Sequence, residues 1–200
     1  MDTLPHPTID ARGLAAALKR LDRLLAAAVD QVHASLGTDG RPDAYRGLYI
    51  SREDIARILD AGPGHPGVYP GGPADGAGMF DAAAMPGLGR LAAIFGLQPM
   101  EADLLVIALA PELDLRYEQI YAYLQDDVTR KRPSVDLALG LLCPDLEAKI
   151  AARKHLLPDA PLIRHRLLVL GADPSQSPPP FLRRSLAADE IGRASCRERV

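Results

Sequence analysis

Apolar residues recur along this chain in several separate runs at helical spacing. Leu14, Leu18, Leu21, Leu25, Ala28 and Val32 alternate steps of four and three, which places them on one stripe of a long helix. Asp10 stands where a cap is needed and Gly37 where the helix must stop. The stripe is long enough to pair with a partner helix as a heptad seam, but packing on its own domain is the favoured reading. Gly37 to Pro42 then forms a short polar linker. Ile50-Ser51-Arg52-Glu53-Asp54-Ile55 combines a capping serine, an acid three residues on, and two isoleucines placed to close as a staple, which predicts a short helix from Arg52 to about Leu59.

Between Ala61 and Gly78 glycine and proline dominate, opposing regular structure through backbone entropy and missing donors, so the segment reads as a linker or insertion. A denser helical region begins at Leu88. Leu88, Leu91, Ala92 and Phe95 share a face and Gly96 ends that helix. Pro99 suits the first turn of the next, whose run from Leu104 to Ala110 is apolar on nearly all sides and is therefore expected to be buried before Pro111 stops it. Asp114 can cap a third helix bearing Tyr117, Ile120, Tyr121 and Leu124. Ser134 can cap a fourth with Val135, Leu137, Ala138, Leu141 and Leu142. Cys143-Pro144-Asp145 breaks and recaps into a fifth, roughly Leu146 to Lys154. A strand is predicted over Leu162 to Leu170, with Ile163, His165, Leu167 and Val169 on one face.

Helices, a turn between them and a following strand are the parts of a winged helix-turn-helix. The fold class is thus mainly α, a helical N-terminal segment followed by a winged helix-turn-helix-like domain with a small β wing. Gly171 to Pro180 would be the wing turn and Phe181-Leu182 its return. The expected organisation is 1–60 helical segment, 61–85 linker, 86–190 winged-helix-like domain and 191–200 a tail. That tail, Ile191 to Val200, has no apolar periodicity, and its ten residues resemble a translated sequencing adapter. It is read as non-native and set aside; on that reading the natural protein continues past Glu190.

Composition narrows the class without naming a chemistry. The 200 residues are 48% hydrophobic and 24% charged, which excludes a wholly disordered chain. Aromatics are 4% and tryptophan is absent, so Leu, Ala and Ile must build the core. Without the tail the formal charge moves from -3 to -5. Residues 1–129 carry 10 basic and 18 acidic residues, whereas 130–190 carry 10 and 7, an asymmetry that solvated faces explain as well as a nucleic-acid surface does. No apolar run reaches the roughly 18 residues of a spanning helix, and the start lacks the pattern of a signal peptide, so a cytoplasmic location is expected.

Catalytic constellations are missing from the pattern. Lys19, Lys131, Lys149 and Lys154 lack the preceding glycine of a phosphate loop, and no Gly-x-Ser-x-Gly elbow occurs. His6, His33, His65, His155 and His165 have no ligand spacing, and Cys143 and Cys196 make no disulfide framework. His33 is expected on the polar side of the long helix and His165 within the strand. The acidic pairs Asp126-Asp127 and Glu112/Asp114 read as helix-end features, and Cys143 as a small buried residue. No catalytic, cofactor-binding or metal-ligating residue is assigned, and the fragment is not expected to be an enzyme. For DNA, the helix from Ser134 to Leu142 is the natural candidate to enter the major groove, yet it offers no Arg, Lys, Asn or Gln. Arg130-Lys131-Arg132, Arg164, Arg166 and Arg183-Arg184 could touch phosphates without reading sequence.

The run from Tyr117 to Leu139, Tyr-Glu-Gln-Ile-Tyr-Ala-Tyr-Leu-Gln-Asp-Asp-Val-Thr-Arg-Lys-Arg-Pro-Ser-Val-Asp-Leu-Ala-Leu, followed by Leu141-Leu142-Cys143, resembles the winged-helix region ahead of the ATPase module in a group of bacterial AAA+ ATPases found with phage-tail-like contractile injection systems. Tyr45 to Ile50 and Pro174 to Leu182 are similar to the same region, so the likeness covers roughly residues 43–190. The resemblance implies a docking or regulatory module acting through protein contacts, with ATP and magnesium expected only for an ATPase module that would follow. The parent would be a possible homo-oligomer; no membrane partner is implied. The alternative is a DNA-binding winged-helix transcriptional regulator.

Overall fold

A computed structural model describes residues 11–35, 79–171 and 179–189, with Ala56 and Leu59 in isolation. Helix α1 spans Ala11–Ser35, α2 Pro86–Phe95, α3 Pro99–Leu113, α4 Arg116–Leu124, α5 Val135–Leu142 and α6 Leu146–Ala152. A 3-10 turn at Arg153–Leu156 and the short helix α7, Pro161–Arg164, lead into β1, Leu168–Gly171. A second 3-10 turn, Phe181–Arg183, precedes β2, Ser185–Ala188. The linker at 37–42, the glycine- and proline-rich stretch 61–78 and the tail lie outside the described residues. So does most of the short helix predicted from Arg52, of which Ala56 and Leu59 are both helical.

The helical starts and stops follow local chemistry. Gly96 sits at φ 66 and closes α2 by donating to Ala92 O, a left-handed position that favours glycine. The Glu101 carboxylate accepts the Gln98 amide at 2.8 Å and fixes the start of α3. Ser134 Oγ accepts from Leu137 N, and Asp145 Oδ1 from Ala148 N, so α5 and α6 are capped as their sequences predict. Asp114 ends α3, and its side chain accepts the Arg116 amide in the first turn of α4.

Helix α3 is the centre of the domain, with every residue from Glu101 to Pro111 buried. It contacts α1, α4, α5 and β2. Pro111 does not end this helix, which continues to Leu113. Proline has no N–H, so the Ile107 carbonyl one turn earlier loses its helical donor. The buried Tyr121 hydroxyl of α4 donates to that carbonyl at 3.0 Å, which removes the penalty of an orphaned acceptor. Tyr121→Phe is therefore expected to lower stability by about 1–3 kcal/mol, read by urea unfolding. In a Pro111→Ala background the new amide serves Ile107 and the loss should shrink; an equal loss in both backgrounds would contradict the pairing.

The stripe on α1 packs on its own domain. Ala17, Leu21, Leu25, Ala28 and Val32 are buried in the same core as α3, and Leu18 is half-buried at the edge. Burial of Leu21 and Leu25 contributes about 1.5–3 kcal/mol each. Polar contacts set the register: Tyr117 Oη donates to Asp22 at 2.8 Å, and Arg116 reaches the other oxygen at 2.8 Å. Burial, with the Asp22 hydrogen bond behind it, pushes the Tyr117 phenol up to about 12, so it remains a donor. Met79 and Met85 enter this core as well.

Two expectations for the wing are corrected. Residues 162–164 belong to α7, because Pro161 fits a first helical turn and Ile163, Arg164 and His165 donate back to Ala160 and Pro161. His165 is the cap of that turn and not a strand residue. Arg166 at φ 54 reverses the chain, and β1 starts only at Leu168. The return strand is β2 and not Phe181-Leu182, which lie in the 3-10 turn. β1 and β2 pair antiparallel with Leu168 opposite Ala188 and Gly171 opposite Ser185. A bridge from Ser134 to Ser185 adds a third edge, with Leu186 N donating to Pro133 O at 2.7 Å and Val135 N to Arg184 O at 2.9 Å.

Candidate interaction surface

The helix-turn-helix is formed by α5, the turn Cys143-Pro144-Asp145 and α6. The sequence suggested α5 as the helix that would enter a groove, and the structure corrects this. Every residue of α5 except Asp136 is buried, because the apolar run Val135 to Leu142 fills the space beside α3. The outward helix is α6. Its exposed residues are Leu146, Glu147, Ile150 and Ala151, with Ala152 turned into the core. Leu146 is 41% and Ile150 58% exposed, large values for branched apolar side chains one turn apart. Lys149 does not point outward with them: it is mostly covered and lies 3.8 Å from Asp136 on α5.

The basic side chains of the domain divide into two groups. Arg130 meets Asp127 at 3.2 Å, Lys131 meets Glu118 at 3.4 Å, and Arg132 meets Glu112 at 2.9 Å. The Thr129 hydroxyl and amide hold the Asp127 carboxyl below its ordinary value, with Arg130 adding to the effect. Asp114 pairs with Arg116, and Arg166 with Asp189 at 3.0 Å. Of the acidic pairs, Asp127, Glu112 and Asp114 are thus structural partners of neighbouring cations. Arg153, Lys154, Arg164, Arg183 and Arg184 have no acid at ion-pair distance among the described residues. Arg153 lies over the Phe181 ring at 4.8 Å, which brings the end of α6 against the 3-10 turn of the wing, where Leu182 is 41% exposed.

Among the described residues His33, His155, His165 and Cys143 lie apart, and His6, His65 and Cys196 fall outside them. His33 is on the exposed side of α1, as expected, with Nε2 3.2 Å from Tyr123 Oη. His155 is buried, its Nδ1 3.4 Å from Glu101. The His165 ring meets that of Phe95 at a tilt, with centroids 5.1 Å apart. Among the described residues no group of three His, Cys, Asp or Glu side chains could hold a metal. Cys143 is buried, which pushes its thiol up and disfavours the thiolate. No described helix is long and apolar enough to cross a membrane.

One organising residue had no sequence signal. The two protons of Gln125 Nε2 are shared among the carbonyls of Tyr121, Arg130 and Arg132, and its Oε1 accepts from Ser134 N. One amide therefore holds the loop between α4 and α5 in shape and presents Ser134 to both its cap and its bridge. All of its partners lie within nine positions, yet the sequence carries no sign of the role, because the side chain bonds to backbone groups that any sequence would supply.

Helix-turn-helix, antiparallel wing and the Ser134–Ser185 edge together define a winged helix. Residues 77–191 match the family described as winged helix domain, variant, and the chain belongs to that family. No curated protein and no solved structure matches the chain.

Proposed function

We propose that this winged helix is a docking or regulatory module that works through protein contacts. The carrying observation is the outward face of α6, which offers Leu146, Glu147, Ile150 and Ala151 where base readout would call for Arg, Lys, Asn or Gln. An acid in that face opposes a phosphate-lined groove, and exposed branched side chains favour a protein partner. The likeness of residues 43–190 to the region ahead of the ATPase module in bacterial AAA+ ATPases supports placing the module at the front of such a cytoplasmic machine. On this reading the chain is not itself an enzyme and holds no cofactor. ATP and magnesium belong to the ATPase module.

The natural gene tests the proposal. Read past the Glu190 codon, it should encode a glycine-rich loop ending in Gly-Lys-Thr or Gly-Lys-Ser within the next hundred or so codons. Deleting residues 88–190 from that full-length protein should then abolish partner recruitment and depress ATP hydrolysis. A gene without the loop overturns the ATPase assignment, and unchanged recruitment after deletion overturns the docking role. A salt-sensitive gel shift that distinguishes one promoter from random DNA would move the assignment to a transcriptional regulator.

A further inference from the structure

Leu146, Ile150 and Arg153 follow one another at steps of four and three, and the Arg153 guanidinium over Phe181 joins their stripe to Leu182 in the wing. We infer that this continuous face, α6 together with the Phe181–Arg183 turn, is the seat of an amphipathic protein helix carrying carboxylates at one end. This rests on the protein-docking reading above and names the partner's chemistry.

Charge complementarity selects that occupant. Arg116, Arg130, Lys131, Arg132, Lys149 and Arg166 each have an acid within ion-pair distance. Arg153, Lys154 and Arg183 have none among the described residues, and all three are exposed at the same end of the apolar stripe. A partner carboxylate placed there gains charge-assisted hydrogen bonds while the cations give up little. Asp145 and Glu147 mark the opposite end of the stripe, so the acids of the partner belong beside Arg153 and Arg183. Leu146 and Ile150 supply the apolar anchor between, and Leu182 extends it beside Arg183, in the manner of a helix laid in a groove. Nucleic acid suits the cations but leaves Leu146, Ile150 and Leu182 facing phosphates.

The test uses the 200-residue chain and three labelled probes in a fluorescence anisotropy assay. The first is an amphipathic Leu/Ala helical peptide with glutamates at one end, the second its lysine counterpart, and the third a 20-base-pair duplex of random sequence, about the length of an ordinary specific site. The glutamate peptide should bind at least about tenfold tighter than the lysine peptide. Ile150→Asp should weaken it about tenfold or more, and the double variant Lys154→Glu/Arg183→Glu should reverse the preference between the peptides. All substituted side chains are exposed, and circular-dichroism melting within a few degrees of wild type verifies the fold. Equal affinity for the two peptides, or a preference unchanged by charge reversal, overturns the proposal. A duplex that displaces the glutamate peptide, and whose binding falls with the double variant but not with Ile150→Asp, overturns it in favour of nucleic acid. If the peptide arms fail while deletion of residues 88–190 still abolishes recruitment, the module docks proteins through another face and only this proposal falls.

Discussion

Leu105→Ala is expected to destabilise the domain by about 3–4 kcal/mol. Leu105 is wholly buried in α3, and α3 is held from several sides by α1, α4, α5 and β2. Walls supported from several sides cannot collapse into the space the side chain leaves, so the transfer and cavity penalties add. Against a net stability of about 5–15 kcal/mol for an ordinary domain, the loss is a large fraction of the whole. Thermal unfolding should shift down by at least about 10 °C. Ile94→Ala, on the exposed side of α2, is the control and should change stability by about 0.5 kcal/mol or less. A Leu105 variant that melted like the Ile94 variant would show that α3 is not the centre of the core.

The second large effect is a dependence on pH carried by Asp103. This carboxyl is buried on α3 and accepts the amides of Phe80 and Met79. Burial pushes it up to about 6, and the two amides with Arg20 limit the rise. Between pH 3.8 and about 6 the folded state holds a proton that the unfolded state has released. The associated stability is full below the lower value and is lost as pH rises through about 6. From pH 7 to pH 5 Asp103 should therefore add stability, toward a limit of about 3 kcal/mol set by the size of the shift. Asp127 works in the opposite sense and only at lower pH, since its carboxyl lies below its ordinary range. Urea unfolding at pH 5, 6 and 7 should show the gain in the wild type and a flatter profile in Asp103→Asn. A slope that survives this substitution would assign the titration to another group.

Local signals reached the helices and stopped short of the surface. Ser134 and Asp145 cap because a hydroxyl or carboxylate next to an apolar run satisfies nearby amides, and nothing distant is needed. The burial of Leu104 to Ala110 was legible for a similar reason, as no polar side was left for solvent. The alternation from Leu162 to Leu170 misled because Leu162, Leu167 and Leu168 are buried from a helical turn, a reversal at Arg166 and a strand in succession. Pro111 misled because its missing donor is compensated by Tyr121 from another helix. The interaction surface was hidden for a related reason. Which of α5 and α6 faces outward depends on how the pair meets α3 and the wing, and apolar content alone made α5 look like an unsuitable reader when it is an inner helix. Likewise, Arg130 to Arg132 are basic in sequence but neutralised in place by Asp127, Glu118 and Glu112.

The attachment of α1 sets an order of events during synthesis. Asp22 and its partner Tyr117 are 95 positions apart, so the helix emerges from the ribosome long before the surface that covers it. At about 5–20 residues per second the delay is roughly 5 to 20 seconds, and until α3 and α4 emerge Leu21, Leu25 and Val32 lack most of the neighbours that bury them. The helix can form by itself within microseconds, but its apolar stripe waits for α3 and α4. That interval, and not the finished fold, is when this chain is open to chaperones and to aggregation.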